Sequence, residues 1–300
     1  MRPVPRPPVA VVLERLRHQM ARARPVADRA GLRGAVAGAR AEAARAPGDR
    51  PSPAVRVETD VGPLLLPAGD RVMLPLISRD GYWEREEGEQ LRALLRPGMA
   101  FVDVGAHVGY MSLLMAQAVG PAGWGVALEP APGNLPLLRA NLAANQVANV
   151  AVLPVAAWHT TGRVPFSLSA FNTGDNRAFV VPGTEALEVA AVALDDVLPR
   201  RARIDVVKVD AQGTDHHAIA GMERSLRASR SVLVVEYWPP GIVESGEDPL
   251  VVLAYYRDFG YRIRVVGQDH TGPEPSLQSI VDLCAARPTE FCNLLLRPGW

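Results

Sequence analysis

From residue 99 onward, short apolar runs alternate with helix-length stretches, and this alternation restricts the fold of the 300-residue chain more than any other feature. The expected strands are 99–104, 124–129, 149–156, 205–210, 231–237, 262–266 and 291–297, with helices over 108–119, 132–146, 214–228 and 248–259. Runs such as "VVKVD" and "SVLVVEYW" are nearly continuous in apolar residues. A strand reads that way when both faces of its sheet are covered, as in a parallel sheet flanked by helices. The expected fold class is therefore α/β, a doubly wound, Rossmann-like, seven-stranded sheet. Between residues 163 and 198, "RVPFSLSAF" and "LEVAAVALDDVL" flank "NTGDNRAFVVPGT" and read as an antiparallel insertion in the sheet region.

The preceding residues are of two kinds. Residues 1–55 are rich in Arg, Ala and Pro, with helical patches near 8–23 and 28–46, and bury too little apolar area to form a core. They read as a loosely packed appendage; a dimerisation arm or a lid is the alternative, and a homodimer is compatible with either. Residues 56–98 lead into the core: 55–78 alternate and break like a hairpin, and 84–95 read as a helix ended by "RPG". Residues 99–300 then form the main domain.

Composition removes several functions. Formal net charge is zero, so no overall field recruits nucleic acid or an anionic membrane. No apolar run reaches the roughly 20 residues that span a bilayer. The two cysteines, Cys284 and Cys292, read as reduced core thiols of a cytoplasmic protein. Of 32 basic residues, only Lys208 is a lysine.

The chemistry gathers where strands end. After strand 99–104, Gly105 and Gly109 allow a tight turn and close approach of the backbone to a ligand. The G-x-G-x-x-G dinucleotide fingerprint and the G-K-[ST] phosphate loop are both absent, which argues against NAD, FAD and nucleoside triphosphates. Glu129 ends the next strand, where a carboxylate can accept both hydroxyls of a ribose. Asp103, one strand over, can face a cationic amino-acid group directly or through the amides of the turn. A nucleoside carrying a zwitterion and no phosphates satisfies all three features, and S-adenosyl-L-methionine (SAM) is such a ligand.

These residues resemble a known family. "GMAFVDVGAHVGYMSLLMA" is similar to the first motif of class I methyltransferases. The longer arrangement, with "ALEPAPGNLPLLRANLAANQVANV" and "VALDDVL…RIDVVKVDAQGTDHHAIAGM", resembles the FkbM-type methyltransferases of natural-product and sugar pathways over about residues 57–240. The resemblance implies a methyltransferase sheet and a cofactor site at Asp103, Gly105, His107, Gly109, Glu129, Asn134 and Ala157. In the family the third stretch reads Lys-hydrophobe-Asp-hydrophobe-Glu-Gly-x-Glu. Lys208, Asp210 and Gly213 match, whereas Gln212 replaces the first Glu and Asp215 stands near the second.

Methyl transfer from a sulfonium requires alignment and the handling of one proton. The expected catalytic residues are Asp210, at a strand end, and His216 and His217, on the first turn of the next helix. Thr214 reads as that helix's N-cap, with Asp215 complementing its dipole. No metal is expected; a divalent ion on Asp210, Asp215 and the two histidines is the alternative. His18, His159 and His270 belong to no constellation.

For the acceptor, the expected contacts are Asn172, Gln212, Glu236, Tyr237 and Trp238. The segments after Asp210 and Glu236 hold acids, among them Glu244, Glu247 and Asp248, and no Lys or Arg. Carboxylates with aromatic faces suit a polyhydroxylated cation. The reading is a SAM-dependent methyltransferase of secondary metabolism acting on an amine of an amino-sugar, aminoglycoside-type compound, with no nucleic-acid or membrane partner. Alternatives are an O-methyltransferase of sugar or polyketide hydroxyls and a non-catalytic nucleoside-binding protein.

Overall fold

The structure is a computed structural model that describes residues 53–300. The helical patches expected at 8–23 and 28–46 lie outside the described residues. The first described elements are a hairpin, β1 (Ala54–Thr59) and β2 (Gly62–Pro67), then helices α1 (Met73–Asp80) and α2 (Arg85–Leu94). The expected hairpin over 55–78 is thus too long, because its last part is α1. Asp70 starts that helix: its Oδ1 accepts hydrogen bonds from the amides of Val72 (2.9 Å) and Met73 (2.6 Å), donors that a helix start leaves free.

The central sheet holds β3 (Ala100–Val104), β4 (Trp124–Leu128), β5 (Val150–Leu153), β9 (Val206–Val209), β10 (Val232–Tyr237), β11 (Tyr261–Val265) and β12 (Cys292–Pro298), in the spatial order β11-β12-β10-β9-β3-β4-β5. All neighbours are parallel except β12, which runs antiparallel to both β10 and β11. The doubly wound α/β expectation therefore stands. The sheet buries both faces. Phe101, Ala127, Val206 and Val234 face a core shared with α3 (Tyr110–Val119), α4 (Asn134–Ala144), α2 and the hairpin. Val102, Val126, Val207 and Val235 face a core that includes residues of α6 (Asp215–Ala220), α7 (Glu223–Ser229) and α9 (Pro249–Phe259).

The insertion is a separate small sheet. β6 (Ala156–Ala157), β7 (Gly162–Leu168) and β8 (Glu185–Val192) are ordered β6-β8-β7, with the β7–β8 pair antiparallel and β6 parallel to β8. It has its own apolar cluster around Phe166 and Val189, and a short helix α5 (Leu194–Val197) returns the chain to the core. Three further helical details differ from expectation. The helix expected over 214–228 is two, α6 and α7, interrupted at Gly221 and Met222. Gly221 is the close-approach point, since a Cβ there would lie 1.9 Å from the carbonyl oxygen of Trp158. The stretch after Trp238, where no helix was expected, forms α8 (Pro239–Glu244), begun by two prolines whose missing N–H groups cost nothing at a helix start. A helix not anticipated from the sequence, α10 (Leu277–Ala285), is capped by Ser276, whose side chain accepts from the Ser279 amide at 3.1 Å.

Candidate active site

The helices that follow β3 and β9 leave toward opposite faces, which makes the gap between these strands the topological switch point where such sheets open a crevice. Gly105 turns the chain there with φ +73°, and a Cβ at this position would sit 1.8 Å from the carbonyl oxygen of Asp210. Only glycine fits. Gly109 starts α3 with φ +95°, and its hydrogen faces Leu138 of α4 at a distance a Cβ would close to 2.6 Å. A cleft opens beside the turn, at the strand ends where such sheets bind small molecules. Gly105, His107, Glu129, Asn134 and Ala157 line it on one side, and Asp210 and Gln212 on the other. Asp103 and Gly109 lie behind this surface. Asp103 is fully buried, accepts a hydrogen bond from the Ser112 hydroxyl and stands 3.9 Å from Lys208 Nζ, so it braces the turn from beneath.

Glu129 is almost fully buried. Its two oxygens accept from the amides of His107 and Ala131, each at 2.8 Å, and the Asn134 amide adds a longer contact at 3.4 Å. Burial pushes its pKa up to about 7, against the pull of those donors. Oε1 accepts from both Ala131 and Asn134, whereas Oε2 accepts only from His107 and keeps a lone-pair site for a ribose hydroxyl.

His107 adopts φ +50° in the turn. Its Nε2 lies 2.8 Å from the Thr173 hydroxyl, which itself lies 2.6 Å from Asp70 Oδ2. Because the carboxylate can only accept, Thr173 donates to Asp70 and accepts from His107, which assigns the proton to Nε2. Nδ1 is left as a buried lone pair with no partner. Burial pushes the imidazole pKa down to about 4, so the ring is neutral at neutral pH. Sequence reading missed Asp70 and Thr173; the only local sign was an aspartate placed just ahead of an apolar run, where helices begin.

The opposite wall is built from charge. Asp210 Oδ2 pairs with Lys208 Nζ at 3.0 Å, and its Oδ1 accepts from Gln212 Nε2 at 2.7 Å. The same Gln212 nitrogen donates to Glu236 Oε1 at 2.9 Å. The amide's two N–H groups thus join two carboxylates, which a glutamate at this position could not do without binding a proton. Around them sit Glu84 and Glu87 from the segment at α2, so one ammonium serves several buried acids. Burial pushes the Glu87 and Glu236 carboxyls well above the usual range and that of Asp103 upward. Burial works against the Lys208 charge, but Asp210, Asp103 and Glu87 outweigh it and raise its pKa well above the ordinary lysine value.

Several expected site residues lie elsewhere. Tyr237 is in the core, its hydroxyl donating to the Pro249 carbonyl at 2.9 Å. Trp238 lies outside the cleft lining with the Arg177 guanidinium 4.6 Å from its ring centre, and Arg177 also pairs with Asp175 and Glu244. The arginine-free stretch in sequence therefore receives an arginine from the insertion. Asp248 is committed to the amides that start α9. Asn172 does not line the cleft; its Oδ1 accepts from the Gly174 amide, and the cleft is lined by Thr173 and Gly174 instead. Glu236 is buried behind Gln212.

Thr214 occupies the N-cap position of α6, but its hydroxyl donates to the Ala211 carbonyl. Asp215 does the work at this turn, accepting from the amides of Ala211 (2.8 Å) and Gly213 (3.2 Å), and is therefore not a free metal ligand beside Asp210. His216 and His217 are absent from the cleft lining. His217 packs on Trp158 and His216, with its Nδ1 3.1 Å from Nδ1 of His159. Burial first, and neighbouring imidazoles second, push both pKa values down to about 4, which suits neither to act as a base at neutral pH. His159 thus belongs to a constellation after all.

The fold and cleft define an α/β protein with a ligand-sized crevice at its switch point. Residues 103–263 match the methyltransferase FkbM domain, and the chain belongs to that family of SAM-dependent methyltransferases. Among solved structures it is similar to a methyltransferase FkbM from Methylobacillus flagellatus (14% identity, TM-score 0.44, covering 70% of this chain and 50% of that one). It is also similar to a precorrin-6y C5,15-methyltransferase from Geobacter metallireducens (18%, 0.42, 71% and 89%) and to TYW2 from M. jannaschii in complex with AdoMet (14%, 0.44, 82% and 85%). The chain thus spans half the length of the Methylobacillus protein. No curated protein matches it.

The donor set fits SAM. The turn has no room for a side chain at Gly105, His107 offers an orphaned buried acceptor, and Glu129 Oε2 retains an acceptor site. Asn134 and Ala157 complete the same wall.

Proposed function

We propose that this chain methylates a small molecule, using SAM held by Gly105, His107, Glu129, Asn134 and Ala157, and that the acceptor is an amine of an amino-sugar natural product in cytoplasmic secondary metabolism. SAM supplies an electrophilic methyl group on a sulfonium. The chain's residues bind, orient and manage the acceptor's proton. The observation that supports this reading is the place of Asp210 and Gln212, which line the cofactor cleft and also belong to the acidic cluster. Lys208 and Gln212 each hold one oxygen of Asp210, so the carboxylate is fixed in orientation while each oxygen keeps a free lone pair for an acceptor N–H. Asp210 is thus the residue assigned to hold the transferred proton, in place of His216 and His217. An ammonium acceptor entering beside Asp210 would be oriented by charge-assisted hydrogen bonds.

The second reading is O-methylation. Arg177 favours it, because it already occupies Glu244 and the face of Trp238 that a cationic sugar would use. Labelled SAM and a panel of amino-sugar and neutral-sugar acceptors separate the two. The amine reading expects the label on nitrogen, a KM that rises with ionic strength, and activity that rises from neutral toward alkaline pH as the amine loses its proton. Label on oxygen with a KM indifferent to salt would replace it with the hydroxyl reading.

A further inference from the structure

Outside the cleft, the molecule gathers another set of groups that neither cofactor binding nor methyl transfer uses. His216 and His217 stand on the first turn of α6, Glu247 lies in the loop that leads to α9, and His159 follows β6. Ligand atoms of His216, His217 and Glu247 all lie within 4.8 Å of one another. In a tetrahedral zinc site, bonds of ~2.0–2.1 Å separate the ligand atoms by about 3.3 Å. Small side-chain rotations would bring the three to that spacing.

Two further observations point to a ligand. Both ring nitrogens of His216 are buried without a hydrogen-bond partner. A neutral imidazole carries one donor and one lone pair, and leaving both buried without a partner is costly. A cation on one nitrogen would use the lone pair. Secondly, Nδ1 of His217 faces Nδ1 of His159 at 3.1 Å, a contact in which only one nitrogen can carry the proton. When His217 is the donor, its Nε2 keeps the lone pair, which is the arrangement by which an outer partner fixes a metal-binding histidine.

We propose that His216, His217 and Glu247 bind a divalent cation of the zinc type, with His159 as a positioning residue that holds the outer nitrogen of His217. Two imidazoles and one carboxylate suit zinc, cobalt or nickel better than magnesium or calcium. Three protein ligands leave one position for water. Thr214 and Ala157, which line the cleft, lie two residues from His216 and His159, so the bound cation ties together the two segments that form part of the cleft wall.

The test uses the untagged full chain, stripped with a chelator and titrated with zinc chloride in a calorimeter, with bound metal counted by mass spectrometry. One zinc ion per chain is expected, with none taken up by His217→Ala. Glu247→Gln and His159→Ala should each weaken binding by at least about tenfold, and excess magnesium should not compete. No uptake by the wild type, equal affinity in the variants, or displacement by magnesium would overturn the site. Should a histidine variant fail to fold, cobalt(II) in the wild type gives an independent answer. Intense visible absorption of a four-coordinate ion is expected, and the weak spectrum of a six-coordinate ion contradicts the proposal.

Discussion

The two walls of the cleft solve their electrostatics in opposite ways. On the β3–β4 side, the carboxylate that lines the cleft, Glu129, is held mainly by backbone amides only a few residues from the strand ends. On the β9–β10 side, Asp210 and Glu236 are held by side chains, and the charge balance draws on Lys208, Gln212 and acids from the segment at α2. Backbone donors are fixed by the fold and need no partner residue. Side-chain networks need every member, and removing one leaves the others buried and unsatisfied. The first wall should therefore break through its backbone geometry and the second through its charges.

Gly105→Ala attacks the first wall where it is least tolerant. A methyl group 1.8 Å from a backbone oxygen cannot be absorbed by a flexible side chain, and φ +73° disfavours alanine as well. A loss on the order of 5 kcal/mol is expected, enough to unfold a domain of ordinary stability. Urea denaturation measures it, and a variant of near wild-type stability would mean that the turn is looser than described.

Lys208→Met attacks the second wall. Without the ammonium, Asp103 and Asp210 lose their cation, and a loss of about 3 kcal/mol is expected at neutral pH. Acidification should restore part of it, since protonated carboxyls no longer need a counter-charge. A variant as stable as the wild type at every pH would show that the cluster is neutral already.

Gln212→Glu is smaller and more selective. It replaces two donors with a carboxylate between Asp210 and Glu236, whose folded pKa must then lie above its unfolded value near 4.3. Between those two pKa values the folded state binds the extra proton, so stability is retained in acid and lost as pH rises through the folded pKa. A cost of about 1–2 kcal/mol is expected at neutral pH, shrinking toward pH ~4. A pH-independent difference from the wild type would remove the charge explanation.

The same contrast decides what the sequence reveals. Core strands are legible because burial on both faces forces continuous apolar runs. Gly105, His107, Glu129, Ala157, Asp210 and Gln212 line the cleft from strand ends and turns, and Asn134 does so from the start of α4. Asp103 and Gly109 are found in their motif, but as supports beneath the turn and at the α3–α4 contact. What the sequence hides is long-range pairing. Arg177 crosses from the insertion to Glu244, and Thr173 reaches both Asp70 and His107. The charge pattern of residues 236–256 carries no trace of Arg177, which is distant in the chain. The helix starts at Asp70, Pro239 and Ser276 carried capping signals, outweighed at α1 by the hairpin-like alternation before it.

The most direct measurement is calorimetric binding of S-adenosylhomocysteine, the demethylated product of SAM, to the wild type and to Glu129→Gln, from pH about 6 to about 8. Glu129 has its pKa raised to about 7, and ribose hydroxyls donate better to the ionised form, so ligand binding favours loss of that proton. The account predicts that wild-type affinity increases as pH rises through about 7, and that Glu129→Gln binds roughly tenfold or more weakly with little dependence on pH. Equal affinities for the two proteins across the range would contradict it and place the nucleoside away from Glu129.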